Sequence, residues 1–155
     1  MVKKLLALVV GLASVLVLGT ASPAQASCPP AGCVLDVASV TTPFTYTNVT
    51  VWLRIDYLNH KVRPYARVDA KPGYNFFKVD PGNTILYAAG FAVLNSNTPY
   101  NGATTTSVTF TTTSVYTCPV SARNYQGAFY FNVYGGGGVD SGSAMSGTAA
   151  TTCGW

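Results

Sequence analysis

Few side chains in this sequence could transfer a proton or attack a substrate. The chain has five aspartates, no glutamate and a single histidine, His60. General acid–base and nucleophilic catalysis both need at least one positioned base, so this composition argues against an enzyme. His60 falls in a predicted hairpin turn, where we expect it to be solvated with no carboxylate to orient it. We therefore assign no catalytic residue.

The remaining catalytic options are weak. A carboxylate pair for glycoside hydrolysis could be drawn from Asp56, Asp69 and Asp80, but an expected pairing of Asp56 with Arg63 favours the ionised form, whereas a catalytic acid needs a raised pKa. Ser141 lies in a tail so rich in glycine and serine that a resemblance to a nucleophile loop is expected by chance. An enzyme that uses an aspartate or Ser141 stays a minor alternative.

The side chains best suited to binding lie on one predicted hairpin, formed by residues 49–58 and 61–69. Asn59 and His60 are expected to form its two-residue turn, which sets the cross-strand pairs. The inward pairs are Val51 with Val68, Leu53 with Ala66, Ile55 with Pro64 and Tyr57 with Val62. The outward pairs are Thr50 with Asp69, Trp52 with Arg67, Arg54 with Tyr65 and Asp56 with Arg63. One face is apolar and the other polar, so both support the same register.

Trp52, Arg54, Tyr65 and Arg67 are the candidate ligand-binding residues. Aromatic rings among fixed hydrogen-bond donors form surfaces that bind sugar rings or partner proteins. The same cross-strand pairs would also stabilise a sheet that binds nothing. Both interpretations stay open. Because Pro64 cannot donate to a ladder, the second strand is predicted to lie at a sheet edge.

The rest of the chain also has β composition, with valine, threonine, tyrosine and phenylalanine between turn residues. We expect a second hairpin of residues 74–79 and 84–94 around a type II turn at 80–83, its second strand being central. A polar loop at 95–102, strands at 103–117 and 128–134, and a small-residue tail from Gly135 follow. In the last strand Phe129, Phe131 and Val133 are predicted to point inward, and Tyr130, Asn132 and Tyr134 outward, where the two tyrosines would extend an aromatic surface. The sequence predicts an all-β antiparallel sandwich, with a small β-barrel as the alternative.

Four cysteines, Cys28, Cys33, Cys118 and Cys153, predict two disulfides in an oxidising compartment. Three connectivities are possible. The turn-rich segment from Cys28 to Cys33 favours closure on itself, which would leave Cys118 to pair with Cys153. No Cys-x-x-Cys pair is present, so we expect neither a metal site nor another cofactor.

The first 26 residues have the order of a cleavable signal peptide: Lys3 and Lys4, an apolar run of about 15 residues, and small residues ending at Ala26. An uncleaved anchor and a lipid attached to Cys28 are the alternatives. Residues 27–155 then form a single domain that is secreted, extracellular and without a membrane span. Its seven Lys and Arg against five Asp are too few and too scattered to indicate nucleic acid.

Export, β architecture and the shortage of catalytic groups together favour a non-enzymatic extracellular binding or interaction domain. Its expected partner is an extracellular glycan, a cell surface or a protein. A secreted protease inhibitor is the alternative, because a small disulfide-tied β-domain can hold a rigid loop for an enzyme cleft. Residues 95–102 would supply that loop.

Overall fold

The computed structural model describes residues 33–155, and within that range the chain forms eleven β-strands and no helix. The strands are β1 (Val34–Pro43), β2 (Thr47–Asp56), β3 (Lys61–Ala70), β4 (Phe76–Ala88), β5 (Phe91–Asn97), β6 (Tyr100–Thr105), β7 (Ser107–Thr111), β8 (Tyr116–Thr117), β9 (Arg123–Gly135), β10 (Gly138–Met145) and β11 (Ala149–Thr151). The predicted signal peptide and Cys28 lie outside the described residues. The described part of the chain contains no helix that could cross a membrane.

The strands form two antiparallel sheets, each four strands wide. In the first sheet the order is β1, β2, β3, and then β7 and β8 one after the other along the far edge of β3. In the second, β4 and β9 are central; β5 and β6 share the outer edge of β4, while β10 and β11 share that of β9. The predicted antiparallel sandwich is confirmed, and its two sheets do not close into the alternative barrel.

Alternation along the central strands places the core between the sheets. On β2 and β3 the buried side chains are Val49, Val51, Leu53, Ile55, Val62, Pro64, Ala66 and Val68. On β9, Phe129, Phe131 and Val133 are at most 2 % exposed, as predicted. Burying such apolar side chains against the facing sheet is the main favourable term in forming the sandwich.

The register of the first hairpin differs from the prediction by two residues. Residues 57–60 form a four-residue connection, and Trp52 lies opposite Tyr65 where Arg67 was expected. The Asp56 carboxylate accepts hydrogen bonds from the backbone N–H of Asn59 (3.0 Å) and from its side-chain amide (2.8 Å), which closes this longer turn. A shift of two preserves the predicted faces, because side chains alternate with a period of two.

All eight predicted pairs of that hairpin are therefore wrong, as three of them illustrate. Asp56 is engaged by Asn59 and does not pair with Arg63; Arg54 lies opposite Arg63 and not Tyr65; and Tyr57 belongs to the turn. The shift in register is the reason for all three.

Pro64 does not mark a sheet edge, so that prediction is wrong as well. β3 is interior, paired with β2 on one side and with β7 and β8 on the other. β8 pairs with residues 61 and 62 and β7 with residues 65–69, so Pro64 falls in the gap between them. A residue without an N–H is tolerated where the ladder is interrupted.

The predicted turn at 80–83 is instead a bulge inside β4. Residues on both sides of it pair with β9, and the register shifts by one residue between Asp80 and Asn83. Gly82 has φ +63°, and a Cβ there would lie 2.6 Å from the carbonyl oxygen of Thr98. Pro81 and Gly82 are residue types found at bulges as well as in turns, and pairing along β9 keeps this strand extended.

The reversal lies further along the chain, at Ala89 and Gly90, where two residues with positive φ join β4 to β5. The strand predicted at 84–94 is divided: residues 84–88 belong to β4, which is central as predicted, and residues 91–94 belong to the edge strand β5. The predicted loop at 95–102 is largely strand, because β5 and β6 continue along β4 with Thr98 and Pro99 opposite the bulge. Beyond β6 the chain crosses to the first sheet, so the predicted strand 103–117 is divided into three.

The small-residue tail is structured. Gly136 and Gly137 connect β9 to β10, whose Asp140 is buried and faces the first sheet. Its carboxylate accepts the backbone N–H groups of Thr45 (3.1 Å) and Tyr46 (2.8 Å) and the hydroxyl of Thr47 (2.8 Å). These donors belong to the connection between β1 and β2, so Asp140 ties the two sheets together at one end.

The Cys118–Cys153 disulfide is present, as expected. Cys33 is also disulfide-bonded, and its predicted partner Cys28 lies outside the described residues. Beside Cys153 the imidazole of His60 stacks on the Trp155 indole with 3.7 Å between ring centroids, and its Nδ1 lies 3.1 Å from the Cys153 carbonyl oxygen. His60 is thus a turn residue with positive φ, but half-buried where a solvated side chain was predicted.

We expect Asp140→Asn to lower the free energy of unfolding by about 1–3 kcal/mol. One side-chain oxygen, which now accepts a hydrogen bond from a backbone N–H, would be replaced by an amide nitrogen that cannot accept one. Urea unfolding followed by tryptophan fluorescence measures the change. Ser141→Ala, at the adjacent exposed position, is the matched control. Equal unfolding midpoints for Asp140→Asn and the control would show that this carboxylate does not hold the sheets together.

Replacing Cys118 and Cys153 together by serine should cost about 2–4 kcal/mol, because the bond closes a loop with a sequence separation of 35 and restricts the unfolded chain. Thermal unfolding of the double variant beside the unmodified protein tests this. A melting temperature within one degree of the original would contradict it.

Candidate functional site

The structure brings all four candidate binding residues together on the outer face of the first sheet, here called the hairpin face. Trp52 and Arg54 lie on β2, and Tyr65 and Arg67 on β3. The Trp52 and Tyr65 rings stack with 5.4 Å between centroids and 15° between planes. The Arg54 guanidinium lies 4.6 Å from the centroid of the Tyr65 ring. Tyr65 is therefore held between an indole and a cation, in a fixed position.

Carboxylates neutralise two of the cations on this face. Nε and Nη2 of Arg54 each donate to one oxygen of Asp36 on β1, both at 2.7 Å. This pair of hydrogen bonds from Arg54 holds the pKa of Asp36 below its usual value and raises that of Arg54. Arg67 donates from Nε to Asp69 at 2.7 Å, and Asp69 also accepts the Ser107 hydroxyl at 2.8 Å.

A groove of about 470 Å³ adjoins the stack and is lined by Val34, Arg54, Asp56, Lys61, Val62, Arg63, Tyr65 and Val115. Arg63 is half-buried, and within residues 33–155 no carboxylate pairs with it. Its Nε is buried without a hydrogen-bond partner in the described chain. Lys61 lies opposite Asp56 and contributes to that group's lowered pKa, after the larger effect of Asn59, but forms no ion pair within the described part.

Arg63 also reaches a second depression of about 470 Å³, which is lined by residues of both sheets. Its other lining residues are Thr98, Pro99, Tyr100, Val108, Thr109, Phe110, Thr111, Thr112 and Thr113. Five of these lining residues are threonines, and Thr111 already donates to the Pro64 carbonyl oxygen at 2.8 Å. The unpaired guanidinium therefore stands between a groove with an aromatic wall and a surface rich in hydroxyls.

The groups that were weighed for catalysis do not converge on one site: Asp56 and Asp69 lie on the hairpin face, and Asp80 pairs with Lys78 on the second sheet. His60 is held by Trp155 and Cys153, and Asp140 by the connection between β1 and β2. Ser141 is exposed on β10, on the opposite face of the strand from Asp140. Among the described residues no group of three or more His, Cys, Asp or Glu side chains is placed to hold a metal ion.

A second aromatic surface lies on the outer face of the other sheet. Tyr130 and Tyr134 on β9 point outward, as the sequence predicted, and Tyr87 on β4 shares their face. A hydrogen bond to Tyr130 is the main reason for the raised pKa of Tyr87. An aromatic surface at Tyr130 and Tyr134 was expected from the sequence, but Tyr87 was not part of it. Alternation along residues 128–134 was the available signal, but the strand could not be positioned relative to Tyr87 without the sheet order.

Comparison of the chain with protein-family models, with curated proteins and with solved structures finds no significant match. Function must therefore be argued from the surfaces themselves.

We expect Asp36→Asn to destabilise the protein by about 0.5–1 kcal/mol at pH 7, because it removes an exposed bidentate pair. Folding lowers the pKa of Asp36, so its stabilisation is complete above the unfolded value of about 3.9 and is lost as pH falls through the lower folded value. The difference between variant and original should therefore shrink progressively at acid pH, as pH falls below the unfolded value of about 3.9, in denaturant titrations. A difference that persists there would assign the effect to packing.

Proposed function

We propose that this chain is an exported, non-enzymatic domain that binds an acidic extracellular glycan through the hairpin face. The observation that carries this proposal is Arg63, a cation that lines the groove beside the Trp52 and Tyr65 stack and has no carboxylate partner in residues 33–155. Arg54, Arg67 and Lys78 each form an ion pair. Among the described cations that form none, Arg63 differs from Lys61, Lys71 and Arg123 in having a buried N–H group without a hydrogen-bond partner.

The arrangement of Arg63 favours an anionic ligand. Arg63 lies directly opposite Arg54, and like charges opposite each other destabilise a sheet pair. Asp36 offsets the charge of Arg54 only. A ligand carboxylate or sulfate in the groove would offset that of Arg63 and would receive a planar donor group suited to bidentate recognition.

A glycan fits the rest of the groove better than a simple ion does. Tyr65 gives it an aromatic wall, and the stack with Trp52 and Arg54 holds that ring in place before any ligand arrives. A preorganised wall reduces the entropy lost on binding. The threonine-rich depression on the other side of Arg63 would extend contacts along a hydroxyl-bearing chain.

The alternative of a protease inhibitor has less support. Its expected bait loop at 95–102 consists mainly of β5 and β6, with only Thr98 and Pro99 between them. A segment paired along β4 has little freedom to enter an enzyme cleft.

The test is binding to alginate, a soluble polyuronate, measured by retardation in native affinity gels. Replacing Arg63 by Gln should weaken binding about 10- to 100-fold, the range for loss of a hydrogen bond between charged groups. Arg123→Ala, an exposed arginine on the second sheet, should bind like the original. Trp52→Ala should also weaken binding, because Tyr65 loses its support.

Binding should fall as salt rises, since an ionic contact is screened. The proposal is overturned if the unmodified protein binds neither alginate nor the sulfated polymer heparin, or if Arg63→Gln binds as tightly as Arg123→Ala. Thermal unfolding of each variant checks that it is folded; Arg63→Gln removes a repulsion from Arg54 and should not lower the melting temperature.

A further inference from the structure

We infer that the outer face of the second sheet is a separate binding surface for a neutral polysaccharide. This tyrosine face consists of Tyr87, Tyr130 and Tyr134 with the polar side chains between them. It lies on the other side of the sandwich from the hairpin face, so a ligand on one does not exclude a ligand on the other. The inference goes beyond the acidic-glycan site and does not depend on it.

The three tyrosines form a row. Tyr130 and Tyr134 are four residues apart on β9, and Tyr87 lies opposite Gln126, four residues before Tyr130. At about 3.3 Å per residue, successive tyrosines of the row attach to the sheet about 13 Å apart. The row follows the direction of β9 and offers aromatic contacts to several units of an extended chain.

Two of these rings are fixed against the sheet. The outward side chains between Tyr87 and Tyr130 are Ile85 and Ala128, which pair across β4 and β9. Although they face away from the core, they are only 9 % and 0 % exposed. The hydrogen bond between the two tyrosines requires their rings to lean towards each other over this pair. Together they cover this pair, and Tyr130 itself is 39 % exposed.

Charge on the tyrosine face is balanced internally. Lys78 lies 3.3 Å from Asp80, and its ammonium is 5.1 Å from the centroid of the Tyr134 ring. The other polar neighbours carry no charge: Asn83, Gln126, Asn132, Ser141 and Ser143. Amides and hydroxyls beside aromatic rings complement the hydroxyl groups and apolar ring faces of a neutral sugar. An anionic polymer would find no unpaired cation here among the described residues.

The row leads into a depression at its Tyr87 end. That depression has a volume of about 380 Å³ and is lined by Tyr87, Gly90, Asn124, Gln126, Met145 and Thr148. Its side chains are again uncharged. A flat row that ends in a depression fits a chain lying along the face better than it fits a compact small molecule, which a concave pocket would enclose.

The experiment is co-sedimentation of the purified domain with microcrystalline cellulose, chitin and insoluble mannan. The unmodified protein should bind at least one of them. The double change Tyr130→Ala with Tyr134→Ala should weaken that binding about tenfold or more, because aromatic side chains at the centre of an interface contribute most of its binding energy. Phe91→Ala removes an exposed aromatic side chain from the edge strand β5 and is the matched control. Arg63→Gln should bind these neutral polymers normally.

Tyr134 does not cover Ile85 or Ala128, so the single variant Tyr134→Ala tests the surface if the double variant fails to fold. Tyr134→Phe keeps the ring and should retain most of the affinity. The inference is overturned if the unmodified protein binds none of the three polymers, or if Tyr134→Ala and the double variant bind as Phe91→Ala does. Since alginate binding is measured separately, loss of either site is distinguishable from loss of the other.

Discussion

The alternation of inward and outward side chains along four long strands is the constraint on which this structure depends. β2 pairs with β3 over ten residues and β4 with β9 over most of their length, and each pair has one side against the other sheet. Every second side chain is thereby committed to the core, and those between must form two outer faces. The aromatic surfaces on both sides are thus held rigidly by the same pairing that buries Leu53 and Phe129.

The faces of these strands could be predicted, but their partners could not. Alternation identified the inward side chains of β2, β3 and β9. The register predicted for β2 and β3 was wrong by two residues. The hydrogen bonds from Asn59 to Asp56 that set this register lie in the turn, where alternation gives no information. Pro81 and Gly82 suggested a reversal, whereas pairing with β9 on both sides makes them a bulge. Local residue types could not reveal a partner strand more than 40 residues away.

In the candidate site, too, the sequence predicted which residues share a face but not which residues lie opposite each other. Alternation alone placed Trp52, Arg54, Tyr65 and Arg67 on one face. The role of Arg63 emerged only with the correct register. In that register Arg63 lies opposite Arg54, and Asp56 accepts a hydrogen bond from Asn59 and does not pair with Arg63. The two faces also differ in charge, since one has an unpaired guanidinium in a groove and the other a closed pair of Lys78 and Asp80. If both proposed surfaces bind, the domain would join two polymers of different chemistry.

Each outer edge of the sandwich is interrupted in the described chain. β1 has an irregularity between Val37 and Val40, and the other three edges are each divided between two short strands: β7 and β8, β5 and β6, and β10 and β11. A long straight edge with free N–H and C=O groups invites another copy to add a strand, and broken edges oppose this. Copies of the domain crowded together would therefore stay separate molecules, without growing into fibrils through their sheets.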